Sequence, residues 1–244
     1  MLRRCLDAMF GMYAWVVFGV CVAFSLLVAA IVPGRERRRR LVAGAARATF
    51  VLSGVTVRVR GLENLPPGHC VVVANHASYV DGILLKGYLP PRFSFVIKGE
   101  MRDIPIVHFL LRRAGSMFVE RFESAGSSRD ARQIVKAAQG GESFGFFPEG
   151  TFMERAGLGR FHAGAFMAAI KGGMPVVPIA ISGTRRLMPS GRKLPRRVAL
   201  GIDILPTIAP DAPEFADSRT LAEAARQRIL GVLDEPDLVE KNPD

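Results

Sequence analysis

His76 and Asp81 stand five residues apart in an otherwise apolar stretch, Val71–Gly82, VVVANHASYVDG. Histidine is the commonest general base near neutral pH, and a carboxylate on its second ring nitrogen fixes its tautomer and orientation. A couple of that kind can activate a hydroxyl for attack on an acyl carbonyl. Positions five apart on a straight helix are separated by about 140° in azimuth, so the two cannot meet if both lie in regular helix. They can meet if His76 sits on a strand-to-helix turn and Asp81 lies in the first helical turn. The apolar residues on either side fit that order. The stretch also reads as a capping pattern, Ser78 to Asp81, with His76 merely decorating a loop. Alone it supports both readings.

Positioning such a couple needs strands and helices in alternation, and the chain supplies them. VTVRVRG from Val55 alternates apolar and polar residues as a half-buried strand does. HCVVVAN, FSFVIKG, GSMFVER, ESFGFFPEG and MPVVPIAISG are short apolar runs closed by polar residues or Gly, and a last strand is expected over Arg197–Leu205. Between them helices are expected at Val80–Leu89, Ile106–Ala114, Ser128–Gln139, with Ser128 as N-cap, His162–Lys171 and Ser218–Leu233. This order predicts an α/β fold with a largely parallel central sheet flanked by helices. GESFG, Gly141–Gly145, matches the GxSxG elbow of serine hydrolases, but a helix precedes it and a strand follows. That is the reverse of what the elbow requires, so Ser143 is not read as a nucleophile.

The 244 residues suit one large α/β domain, or one domain with an appendage, and the 49% apolar content excludes global disorder. A net charge of +11 suits an anionic partner: nucleic acid, membrane surface or negatively charged substrate. Nucleic acid fits worst, because sixteen Phe stand against three Tyr and one Trp, and no zinc-finger, RNA-binding or basic-zipper signature is present. Cys5, Cys21 and Cys70 are scattered, as are the four histidines, so neither a disulfide framework nor a metal site is expected.

Ala14–Val32 is free of charge and about as long as the ~20 residues that cross a hydrocarbon core. Pro33-Gly34 and then RERRRR follow it, which is not the pattern of a cleaved secretory signal. The arginines of Arg35–Arg40 outweigh Arg3 and Arg4, which places the rest of the chain on the cytoplasmic side. That run also suits anionic lipid headgroups. Leu41–Val55 is apolar but short for a span, and is read as a shallow or re-entrant interfacial helix. The expected organisation is a membrane segment over 1–53, one spanning helix or two interfacial ones; a catalytic-looking body over 54–235; and a polar tail over 236–244.

Three further segments bear on the chemistry. GSMFVER ends a strand in Arg121, suited to a phosphate or carboxylate. FFPEGT, Phe146–Thr151, ends another in a turn whose N–H groups could surround an anion. VVPIAISG closes a buried strand at Gly183. Together with the first stretch, these resemble the glycerolipid acyltransferases typified by 1-acylglycerol-3-phosphate acyltransferase. HxxxxD matches His76 to Asp81, GxxFxxR matches Gly115, Phe118 and Arg121, FPEGT matches Phe147–Thr151, and VPI matches Val177–Ile179. Lys98 looks like the lysine that lies between the first two blocks in that family. The resemblance implies acyl transfer from acyl-CoA or acyl-carrier protein to a lysophospholipid hydroxyl, in a membrane, with no metal or bound cofactor and no covalent enzyme intermediate. It implies that His76 is the base, that Asp81 orients it, and that Lys98, Arg121, Glu149, Gly150 and Thr151 hold the acceptor. One departure concerns the acceptor: the family's third block continues into Arg, and here Phe152 takes that place.

Overall fold

The computed structural model describes residues 2–119, 133–137, 140–151, 155–189 and 191–239. Seven strands form one sheet: β1 (Val57–Arg60), β2 (Val71–Ala74), β3 (Phe93–Lys98), β4 (Met117–Val119), β5 (Ser143–Phe146), β6 (Val176–Ser182) and β7 (Leu200–Ile204). Their order is β1-β7-β6-β2-β5-β3-β4, and every neighbouring pair is parallel except β6–β7. The α/β class and largely parallel sheet expected from the sequence are what the chain adopts.

The central strands β2 and β5 are buried at every position, as the continuous VVVA and SFGF runs require of strands covered on both faces. Val71 and Val73 face one apolar cluster with Phe144, Phe166, Leu221 and Ile229. Val72 and Ala74 face the other, with Phe50, Leu84, Leu85, Ile179 and Ile202. Helices α3 (Val80–Tyr88) and α4 (Pro105–Arg113) follow β2 and β3; α5 (Gly164–Gly172) and α6 (Ser218–Leu230) cover the opposite face. Asp217 caps α6, its carboxylate accepting the N–H groups of Arg219 and Thr220. Of the helix expected over Ser128–Gln139, residues 133–137 are helical and Ser128 lies outside the described residues.

The N-terminal pair departs from expectation in extent. Helix α1 runs Leu2–Ile31, well before Ala14, and α2 runs Arg35–Leu52, so the arginine run is the start of a helix. Much of that run faces protein. Arg35 forms a two-pronged pair with Glu142, and Arg38 donates to the carbonyls of Val32 and Arg113. Arg39 is buried and donates to the carbonyls of Arg92 and Gly115 and to the Ser94 hydroxyl. Helix α1 lies along the body. Its Tyr13 hydroxyl bonds the Leu52 carbonyl, its Trp15 indole N–H reaches the Lys193 carbonyl at 2.6 Å, and Arg113 Nε bonds the Ala29 carbonyl at 2.7 Å. Its opposite face exposes Met12, Val16, Val20, Phe24, Leu27 and Ile31.

Gly115 shows how tightly this clamp closes on the sheet. Its φ is +89°, and a Cβ there would lie 2.3 Å from Arg39 Nε. Gly115→Ala should therefore strain the backbone and dislodge a buried, hydrogen-bonded guanidinium, losing about 2–4 kcal/mol. Thermal unfolding in detergent checks this: a midpoint within a degree or so of the wild type would contradict the clamp.

Candidate active site

β2 delivers the turn that carries the candidate couple. Asn75 directly follows it, and its side chain makes two bonds to the β6 backbone, Nδ2 to the Ile181 carbonyl (3.0 Å) and Oδ1 from the Ile181 N–H (2.7 Å). That pin fixes the chain immediately before His76. The chain then turns, and α3 begins four residues later. Asp81, in the first turn of α3, is fully buried. Its Oδ2 accepts from His76 Nδ1 (2.9 Å), Ala77 N (2.7 Å) and Ser78 N (2.8 Å). Its Oδ1 has no hydrogen-bond partner among the described residues. The carboxylate thus reaches back over the helix start as a capping acid does and orients the imidazole with the same oxygen. The two readings of the stretch are one structure.

An ionised carboxylate only accepts hydrogen bonds, so Nδ1 carries the proton and Nε2 holds the lone pair. The ring stacks on Phe147, centroids 4.3 Å apart and planes 21° from parallel. Phe147 lies just beyond β5, so the turn after β5 forms one wall of the site.

Glu149 braces this turn against the catalytic one. Its Oε1 accepts the His76 N–H (2.7 Å) and its Oε2 the Gly159 N–H (2.9 Å). Burial pushes its carboxyl pKa up, while those two N–H groups, His76 and Arg185 pull the other way. The sequence reading set Glu149 among the acceptor ligands; each of its oxygens is engaged by a backbone N–H. Gly150 has φ +75°, and its Cα faces the His162 ring, where a Cβ would lie 3.3 Å from Cδ2. His162 does not begin a helix as expected; it precedes α5 and donates its N–H to the Pro148 carbonyl (2.8 Å). Thr151 is exposed at the end of the turn. Lys98 closes β3, in register with Val119, and its side chain lies outside what is described, as do Arg121 and Phe152 altogether. Ser143 opens β5, is fully buried, and its hydroxyl accepts the Cys70 N–H, so it is built into the sheet.

Sequence reasoning missed Asn75, the Phe147 stack and a brace from the C-terminal segment. The polar residue next to His76 at a strand end signalled the first. Nothing local signalled the brace: Glu235 accepts the Gly157 N–H (2.8 Å), Leu158 pairs with Pro236 and Leu238 through the backbone, and Arg185 pairs with Glu235.

A histidine at the carboxyl end of a central parallel strand, with a buried acid on Nδ1, has the arrangement a general base requires, at the end of the sheet where α/β folds take their ligands. The chain belongs to the Acyltransferase family, whose model matches residues 56–182. It is 36% identical over 135 residues to a chloroplastic 1-acyl-sn-glycerol-3-phosphate acyltransferase of Brassica napus, covering 54% of this chain and 39% of that one. It is 33% identical over 181 residues to a lyso-ornithine lipid O-acyltransferase of Pseudomonas aeruginosa, covering 70% and 68%. The chain spans about half the length of the curated relatives it matches first. The crystal structure of a 1-acyl-sn-glycerophosphate (LPA) acyltransferase, PlsC, from Thermotoga maritima superposes with a TM-score of 0.76 at 26% identity, over 93% of this chain and 94% of that one.

Two substitutions probe the geometry. Asp81→Asn keeps the shape, and its amide oxygen can take the place of Oδ2, but it removes the negative charge that supports the imidazolium, and kcat should fall about 10³–10⁴-fold, as in other His–carboxylate couples. Retention of more than a tenth of the wild-type kcat would exclude Asp81 as the orienting acid. Glu149→Gln replaces one acceptor oxygen by an N–H₂ that faces a backbone donor. It should lower kcat and lower the melting midpoint together; a rise in KM for the acceptor alone would instead make Glu149 a substrate ligand.

Proposed function

We propose that this protein moves a fatty acyl group from acyl-CoA or acyl-carrier protein to the free hydroxyl of 1-acylglycerol-3-phosphate, giving phosphatidate. The observation that carries the reading is the three-bonded Asp81 oxygen holding His76 Nδ1–H, on a chain whose relatives include enzymes of that name. His76 Nε2 takes the acceptor's hydroxyl proton as its oxygen attacks the thioester carbonyl. The tetrahedral oxyanion collapses, the C–S bond breaks and the ester forms. The thiolate leaves and takes the proton from the imidazolium. A thioester is already activated, so one base and good positioning suffice, and neither a metal nor a bound cofactor enters the proposal.

The glycerol and phosphate of the acceptor fall to Lys98, Arg121 and the Gly150–Thr151 turn, and Glu149 shapes that turn. Asp81 and Glu149 flank His76 with negative charge and favour the imidazolium that forms during the reaction. The exposed face of α1, long and apolar enough to cross a membrane, attaches the body to the bilayer. The bonds from Trp15 and Ala29 to the body support a helix lying in the interface instead of one leaving it. The excess of arginine after α1 supports a cytoplasmic active site, at the inner membrane if the cell is bacterial.

A second reading has its own support. Phe152 stands where the family's third block carries Arg, and one well-covered relative is a lyso-ornithine lipid O-acyltransferase. The acceptor would then lack the phosphate that an arginine holds. An inactive lipid-binding protein is the further alternative.

One assay separates these. The purified protein, in detergent, is supplied with labelled acyl-CoA or acyl-carrier protein and a panel of lysophosphatidate, other lysophospholipids and lyso-ornithine lipid. Diacyl product with lysophosphatidate, lost by orders of magnitude in His76→Ala, is the expected result. Product with lyso-ornithine lipid alone would move the assignment to the second reading, and no product with any pair would leave only the binding protein.

A further inference from the structure

The arginine run of α2 supplies only part of the exposed positive charge. Between Ser182 and Ile202 the chain carries six basic residues and no Asp or Glu. Arg186, Arg192, Lys193, Arg196 and Arg197 are all exposed. Arg58 and Arg60 extend the same basic edge on β1, and Asp203, across from them on β7, pairs with Arg60 at 3.5 Å. In α2, Arg35, Arg38 and Arg39 are held on protein partners, while Arg37 and Arg40 are exposed.

This segment has apolar helix on one side and the catalytic turn on the other. The Lys193 carbonyl accepts the Trp15 indole N–H, and Leu194 packs so closely on α1 that a Cβ at Gly11 would lie 2.8 Å from its own Cβ. The Met188 carbonyl accepts the Ser78 hydroxyl, two residues beyond His76. A Trp whose ring lies on an apolar helix and whose N–H bonds a polar loop marks a bilayer–water boundary, and basic residues just outside that boundary meet headgroup phosphates.

We propose that Arg192, Lys193, Arg196 and Arg197 form a docking surface for the anionic phospholipid headgroups of the leaflet that takes the apolar face of α1. The proposal rests on the membrane-bound acyltransferase reading and adds the residues that orient it. The bilayer occupies this surface because the cations continue the apolar face of α1 across its Trp15 border. Seated in that way, the loop holds the catalytic turn at the headgroup layer, where a lysolipid presents its hydroxyl.

Flotation of the full chain with phosphatidylcholine vesicles, with and without phosphatidylglycerol, tests it. At ~1 kcal/mol per cation, each removed charge weakens partitioning about fivefold, so Arg192→Gln, Lys193→Gln, Arg196→Gln and Arg197→Gln together should weaken binding to the anionic vesicles at least about 100-fold. Binding to pure phosphatidylcholine should be unchanged, and high salt should abolish the difference. Arg37→Gln with Arg40→Gln, two exposed cations outside the proposed surface, should change binding by less than about threefold. Unchanged anionic binding in the fourfold variant, or an equal loss in the α2 pair, would overturn the proposal. A loss confined to turnover with acyl-carrier protein, vesicle binding being intact, would overturn it in favour of an acidic protein donor. Turnover of acyl-CoA in detergent micelles should survive the fourfold variant. A wild type without turnover would defeat the proposed function while leaving the vesicle result to be read independently.

Discussion

Asp81 carries its charge fully buried, and that is tolerable only because three N–H groups converge on one of its oxygens. Two of the three are backbone donors in the residues just before α3, so the carboxylate can be satisfied only while the chain turns sharply between His76 and Val80. The third is the imidazole itself. The helix start, the base's tautomer and the burial of the acid are therefore a single condition. Whatever loosens the turn exposes an unsatisfied charge and frees the ring at the same time.

That condition recruits the neighbouring strands. Asn75 ties the turn to β6 through Ile181, and Glu149 ties it to the turn after β5 through the His76 N–H. Glu149 is itself a buried carboxylate, its pKa raised because burial outweighs the donors that reach it. Only a carboxylate offers an acceptor to both N–H groups at once, and it also sets a negative charge close to the His76 ring. Gly157, Leu158 and Gly159 hold the far side of this brace, and Glu235, Pro236 and Leu238 hold them in turn. The end of the chain thus bears on the wall of the site.

The strands and most helices were legible because apolar period and length speak for themselves: VVVA and SFGF cannot be anything but covered strands between such breakers. The His–Asp couple was legible as a possibility, since the spacing fits only one kind of turn, and the later blocks raised it above the capping alternative. Glu149 was read as an acceptor ligand through the family resemblance, with an exposed glutamate in an ordinary turn as the alternative. Its partners are backbone N–H groups at positions 76 and 159, which no local pattern reveals. The arginine run was legible only in part. In sequence it is a block of charge beside an apolar helix, but a helix sends its residues around the axis, and Arg39 points inward where Gly115 leaves room for it.

The consequence reaches the membrane. If α1 and α2 were joined to the body by a linker alone, the height of the active site above the bilayer would be set by chain entropy. Here Arg39 bonds the carbonyl of Gly115, at the entry to β4, and α2 packs on α3, whose first turn holds Asp81. Helix α1 in turn is bonded to the body at Trp15 and at Ala29, which are ~21 Å apart along the helix. Two attachments that far apart leave little freedom to tilt. Helix α1 and the turn that carries His76 and Asp81 are therefore tied together through the body, and in the proposed function the surface that meets the lipid fixes where His76 meets its acceptor.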